Sequence, residues 1–176
     1  TIVFASRLLP VKNPDTVAKT YLKLSPQYKD WQFYLIGKGE CLFDSMDKKE
    51  IPSNVHFVNE LIPQKDFHSL LSRAAIYVNS SLSEGLPLAI VEAAALGCIL
   101  VMSDIPHNME VSRVSDLQEY SFPAKDLQKL ISVLEKAMND SVKKGNSFHE
   151  DIARKNHEVF ASKKIFAQYW ELLKDF

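Results

Sequence analysis

Apolar residues fall into short, nearly continuous runs separated by longer segments of mixed polarity. "TIVFA" (1–5), "WQFYLIG" (31–37), "NVHFV" (54–58), "AAIYVN" (74–79) and "CILVM" (98–102) are rich in β-branched and aromatic residues and read as strands. They run on rather than alternate, as in a parallel sheet covered on both faces. "YSF" (120–122) is a candidate sixth strand. Between the strands, 14–24, 40–49, 64–73 and 87–97 read as helices. Asn13 and Pro14 supply the first with an N-cap and a first-turn proline, and Pro63 and Pro87 open the third and fourth. After Pro123, Leu127, Leu130, Ile131 and Leu134 share one face of an amphipathic helix, and the tail from Ser147 to Phe176 is mostly helical in pattern.

Strand and helix taken in turn define a doubly wound α/β domain. Ligands in such sheets bind beyond the carboxyl ends of the strands. The segments to search are therefore 6–12, 37–40, 59–63, 80–87 and 103–110.

Composition narrows the classes. The 176 residues suit one domain with a sizeable core, and 46% apolar with 24% charged residues is ordinary for a globular protein. A net charge of -1 argues against bulk nucleic-acid binding or an anionic-membrane patch. Cys41 and Cys98 make no disulfide framework, so a reducing compartment is expected. No stretch reads as a bilayer span or signal peptide. The chain opens directly inside a strand-like run, which suggests a fragment of a longer protein.

One segment poses a chemical question. From Gly85 to Met102 every residue is apolar or small except Glu92, and a lone buried carboxylate costs several kcal/mol by rough estimate. The helix here looks apolar all round and hence buried. Glu84 stands eight positions before Glu92, in a Ser- and Gly-rich loop at the helix mouth. Free N–H groups at a helix start form an anion site near Gly85, Leu86 and Pro87, although Pro87 donates nothing. A phosphate there would leave Glu92 to bind hydroxyls on one side and Glu84 on the other. The competing structural reading pairs Glu92 with a buried Arg or Lys and has Glu84 cap the helix. Arg7 and Lys12, after the first strand, suit a diphosphate, or are plain surface charges. Gly37 and Gly39 permit a tight turn or close ligand approach, but no G-x-G-x-x-G fingerprint of a dinucleotide enzyme is present. His107 follows the fifth strand and faces the same edge. His56 reads as a half-buried strand residue and His68 as a surface helix residue. Neither "HEDIA" (149–153) nor "HEVFA" (157–161) holds the second His of a zinc protease motif, and the cysteines lack metal-ligand spacing.

With these residues in hand, "SEGLPLAIVEAAALGCILVMSD" resembles the E-x7-E segment of the retaining GT-B glycosyltransferases of group 1. "ASRLLPVKN" resembles that family's G-R-L…K-G loop, "FYLIGKGE" its strand ending in G-x-G-x, and "VHFVNEL" its V-x-F-x-G segment. The match runs in order over about residues 2–140.

The resemblance implies a Rossmann-like domain with helices on both faces, the C-terminal, donor-binding half of a two-domain GT-B fold, filling 1–176. Its last helix, at about 160–175, would cross to the N-terminal domain; packing on its own domain is the alternative. Arg7 and Lys12 would hold the diphosphate of a nucleoside-diphosphate sugar, Glu92 the ribose hydroxyls and Glu84 the transferred sugar. The backbone of Gly85, Leu86 and Pro87 would lie against phosphate and sugar. The base would sit near Gly37 and the loop carrying Asn59, Leu61 and Ile62. The family implies no metal and no bound cofactor, transfer with retention, and a glycan or lipid-linked acceptor held by the absent domain. The expected location is cytoplasmic, with that domain able to hold the chain at a membrane. An alternative is a non-catalytic nucleotide-binding or interaction module that keeps only the fold. Ser6, Asn13 and Asn59 stand where the family has glycines, and the family's D-G-x-x-G-x-L-V turn is missing between Glu110 and Phe122.

Overall fold

The computed structural model describes residues 1–85 and 88–160. Six parallel strands form one sheet: β1 Ile2–Ala5, β2 Phe33–Ile36, β3 Val55–Val58, β4 Ile76–Asn79, β5 Ile99–Ser103 and β6 Ser121–Phe122. Their spatial order is β3-β2-β1-β4-β5-β6. The winding runs outward from β1 to β3, then crosses back to β4 and proceeds the other way. β1 and β4 therefore flank the point where the order reverses, and a crevice opens there at their carboxyl ends. The expected sixth strand is present as a two-residue edge.

Among the described residues six helices cover the sheet: α1 Pro14–Leu24, α2 Gln64–Leu71, α3 Leu88–Ala95, α4 Pro106–Val114, α5 Leu127–Lys144 and α6 Asn146–Phe160. α1 packs on α5, α3 packs on α6, and α5 and α6 also touch. Val17, Ala18, Tyr21 and Leu24 bury one side of α1, and Tyr21 meets Phe33 of β2 with ring centroids 5.2 Å apart. Leu130, Ile131, Val133, Leu134, Ala137 and Met138 do the same for α5. Burial of this kind stabilises by roughly 25 cal/mol per Å² of apolar surface. Asp126 caps α5 by accepting from the Lys129 N–H at 2.9 Å.

Three expectations need correction. The segment 40–49 is not an α-helix but two 3₁₀ turns, Leu42–Ser45 and Lys48–Glu50. Asp44 accepts from the Cys41 N–H and Asp47 from the Lys49 N–H, and such local bonds compete with helix continuation. Asn13 holds the N-cap position of α1 as expected, with Pro14 after it, but its side chain caps no backbone N–H. It sits at φ 52°, ψ 49°, and its Oδ1 accepts from the Thr16 hydroxyl at 2.8 Å rather than from a backbone N–H. The 3₁₀ turn Pro10–Lys12 closes onto it, and asparagine tolerates this left-handed conformation. α4 was not expected at all. Finally, α3 is not buried all round: Leu88 is 62% and Leu96 41% exposed, with the Glu92 side chain 32% exposed between them. Spaced four apart, the three share one stripe, while Ile90, Ala93 and Ala94 face the core. Glu92 is thus not a buried lone charge. The expected helix over 160–175 lies outside the described residues, as do Leu86 and Pro87.

Candidate functional site

Two loops meet beyond the β1 and β4 ends. The first carries Lys12 on its 3₁₀ turn; the second carries Glu84. Lys12 Nζ donates to Glu84 Oε2 at 2.6 Å, the side chains being 18% and 9% exposed. The other oxygen, Oε1, accepts from the Ser81 hydroxyl at 2.6 Å and from Asn79 Nδ2 at 3.2 Å. Every bond to the carboxylate is thus a donor of charge or dipole aimed at the ionised form. Burial is the largest single influence and would raise the Glu84 carboxyl. The bonds from Lys12, Ser81 and Asn79 together outweigh it and hold the group below its ordinary value.

The donors are themselves fixed from beneath. Asn79 ends β4, and its Oδ1 accepts from the Ser81 N–H and from Asn108 Nδ2, each at 3.1 Å. Asn108 is fully buried on α4 and also reaches Ser103 at the end of β5. The Ser80 hydroxyl donates to the carbonyls of Lys12 and Asn13 at 2.8 and 3.0 Å. These bonds hold the backbone on either side of the left-handed Asn13.

Beside this pair lies a cleft of 270 Å³ between the β1, β2 and β3 ends, where Arg7, Gly37, Leu61, Ile62, Gln64 and Phe67 meet. A second hollow of 150 Å³ holds Lys12, Asn79 and Glu84. Ala5, Ser6 and Ala89 line both, so the two are continuous. Glu92 stands on the rim of α3 facing α2. Its Oε1 accepts from Gln64 Nε2 at 3.3 Å and lies 3.3 Å from His68 Nε2.

Most of the candidate residues therefore converge. Arg7, Gly37, Leu61 and Ile62 line one cleft, Lys12 and Glu84 the adjoining hollow, and Glu92 contacts Gln64, which lines the cleft. Lys12 and Glu84, assigned to different parts of a ligand, are bonded to each other. Glu92 pairs with neither Arg nor Lys among the described residues. Asn59 does not line the cleft. Its amide bridges to Gly39 N–H, Gly39 carbonyl and Asp44 Oδ1, pinning the β2 loop. Gly85 is exposed, with open space where a Cβ would stand. His107 is exposed near the start of α4, while His56 is half-buried and stacks on Tyr34. Sequence reading missed Asn79, Ser81 and Asn108. Only the position of Asn79 at a strand end hinted at its use. Among the described residues no group of three His, Cys, Asp or Glu could hold a metal ion.

A doubly wound sheet with a charged crevice at its reversal point defines a Rossmann-like domain. The chain belongs to the glycosyl transferases group 1 family, which it matches over residues 1–156. It is 23% identical over 175 residues to the phosphatidylinositol N-acetylglucosaminyltransferase GPI3 subunit of Saccharomyces cerevisiae, covering 92% of this chain and 38% of that protein. The UDP-Gal:alpha-D-GlcNAc-diphosphoundecaprenol alpha-1,3-galactosyltransferase of Escherichia coli is 27% identical over 139 residues, 77% of this chain and 36% of that protein. The fold is shared with TarM (TM-score 0.75, 18% identity, 97% of this chain and 34% of that one). It is shared too with the pneumococcal O-GlcNAc transferase GtfA, solved with UDP and GlcNAc (TM-score 0.73, 18% identity, 99% and 35%). The chain spans well under half the length of these two curated relatives.

Proposed function

We propose that this chain is the C-terminal, donor-binding domain of a retaining glycosyltransferase that takes its sugar from a nucleoside-diphosphate sugar. The observation that carries the reading is the meeting of Lys12 and Glu84 in a hollow continuous with the Arg7 cleft, at the reversal point of the sheet. The base and ribose occupy the cleft of Gly37, Leu61 and Ile62, with Glu92 accepting from the ribose hydroxyls. Arg7 and Lys12 take the diphosphate. Glu84 faces the transferred sugar, and the backbone of residues 85–87 lies against phosphate and sugar. As the sugar–phosphate bond breaks, charge grows on the leaving diphosphate, and fixed cations beside it stabilise that state more than the ground state. Two basic side chains supply this charge in our reading, without a metal. The acceptor, a glycan or a lipid-linked molecule, is held mainly by a second domain. The two free thiols, Cys41 and Cys98, favour a reducing compartment, the cytoplasm. No helix among the described residues is long and apolar enough to cross a membrane.

The UDP bound to GtfA and the UDP-Gal named for the E. coli relative make UDP the first probe. A calorimetric and thermal-shift panel of UDP, GDP, ADP and their sugars tests the proposal. A ligand at 100 times its Kd stabilises by about 2.7 kcal/mol. Absence of heat and of shift with every nucleotide at millimolar concentration would overturn it.

A further inference from the structure

We infer that Asn108, on α4, is a positioning residue for Glu84, acting through Asn79; the inference rests on the donor-site reading for its functional consequence but not for its geometry. An asparagine amide presents an acceptor on one side and donors on the other, and which side faces a neighbour is set by its partners. Asn79 must turn its Nδ2 to Glu84 Oε1. Turned over, it would set its own oxygen against a carboxylate. Two donors fix the choice by occupying Oδ1: the Ser81 N–H and Asn108 Nδ2, each at 3.1 Å.

Asn108 is locked in its turn. Its Nδ2 faces the Ser103 carbonyl at 3.1 Å and the Ser103 Oγ at 3.0 Å as well as Asn79, and a flip would point its oxygen at two other oxygen acceptors. Ser103 Oγ spends its own proton on the Ser81 carbonyl at 2.6 Å, so its lone pairs face Asn108. The lock leaves the Asn108 Oδ1 buried without a partner. That unmade bond is unfavourable, as it is for the Asn156 Oδ1, which is buried in the same state. At Asn108 the oxygens facing Nδ2 set this orientation, and with it the donor turned toward Asn79. The chain of orientation thus runs from β5 and α4, through Asn79, to the carboxylate that faces the sugar.

The first test reads Glu84 itself. Carboxyl-carbon NMR titrations of the 176-residue chain compare wild type with Asn108→Ala. The Glu84 midpoint is expected to rise toward its ordinary value in the variant, with that of Asp140 unmoved. An unmoved Glu84 in a folded variant overturns the inference. Should Asn108→Ala not fold, Ser103→Ala removes one of the acceptors that lock Asn108 and is expected to shift Glu84 in the same direction, by less; no shift overturns the inference equally. The second test compares UDP with UDP-sugar by calorimetry. Asn108→Ala is expected to keep UDP affinity within about twofold while lowering the extra affinity given by the sugar, and to add no more than about twofold to Glu84→Gln in the double variant. Additive losses overturn the inference. A wild-type chain that binds no nucleotide overturns the functional reading alone, and the titration still decides the role of Asn108.

Discussion

The backbone N–H of Leu82 donates to the carbonyl of Val11 at 2.8 Å. This bond, with the two from Ser80 to the carbonyls of Lys12 and Asn13, ties the two site loops together independently of the Lys12–Glu84 ion pair. Lys12 can therefore be truncated without releasing its loop. Replacing Arg7 and Lys12 with Ala is expected to leave the thermal transition sharp and to weaken diphosphate binding more than nucleoside binding, measured by calorimetry. Equal losses for the two ligands would contradict the assignment of both cations to the diphosphate.

Glu92 and Glu84 are expected to separate by ligand. Glu92→Gln should weaken nucleoside diphosphate binding by about 1–3 kcal/mol, through lost charge-assisted bonds to ribose. Glu84→Gln should leave the bare diphosphate nearly unchanged and alter the response to the sugar. If both variants weaken the bare diphosphate alike, the two carboxylates have been given the wrong partners.

The depressed Glu84 carboxyl makes a statement about acid stability. A group ionised more readily in the folded than in the unfolded chain contributes stability above its unfolded titration point, and loses it as pH falls through the lower, folded one. Urea unfolding at a series of pH values should therefore show wild type losing more stability than Glu84→Gln over that acid interval. Parallel curves would mean that Glu84 has no favourable partners in solution.

Gly37 joins β2 to its loop at φ 152°, and a Cβ there would collide with the carbonyl of Ser6. Its N–H holds the carbonyl of Val58, so the residue cannot easily move. Gly37→Ala is expected to cost about 3 kcal/mol or more in denaturant unfolding. A change below about 1 kcal/mol would show that the β2 loop relaxes freely.

The 176 residues by themselves are expected to transfer no sugar. Both hollows open to solvent, and an acceptor held at attack distance can be worth about 7–11 kcal/mol of barrier. Adding an N-terminal domain, fused or in trans, should restore transfer with the donor's anomeric configuration kept. Turnover by the isolated chain at an ordinary enzymatic rate would place the whole active site within these residues.

The strands and α1 were legible because their burial is written as apolar runs and as the spacing of Val17, Tyr21 and Leu24. α4 was not, because most of the face it buries is polar: Asn108 and Ser112 are fully enclosed beside Val111, so apolar periodicity is weak there. The segment 40–49 had a helical balance of residues, but Asp44 and Asp47 use their side chains to close short turns. At the site, the residues carried by motif could be placed in one crevice by strand order alone. The Lys12–Glu84 bond and the Asn108–Asn79 bond could not, since each joins segments distant in sequence. Asn59 shows the limit of motif transfer: standing where the family has a glycine, it spends its amide on the neighbouring loop.

The position of β1 between β2 and β4 has a bearing on how the protein is made. During synthesis β1 gains its first neighbour once residue 36 is free of the ribosome, but its other edge stays open until β4 emerges with Asn79. A strand edge left unpaired in a nascent chain invites pairing with other chains. Lys12 and Glu84 are 72 residues apart, so their meeting reports that this delayed pairing is complete. Nucleotide capture by stalled ribosome-bound chains of increasing length would then mark the moment at which the sheet closes around its centre.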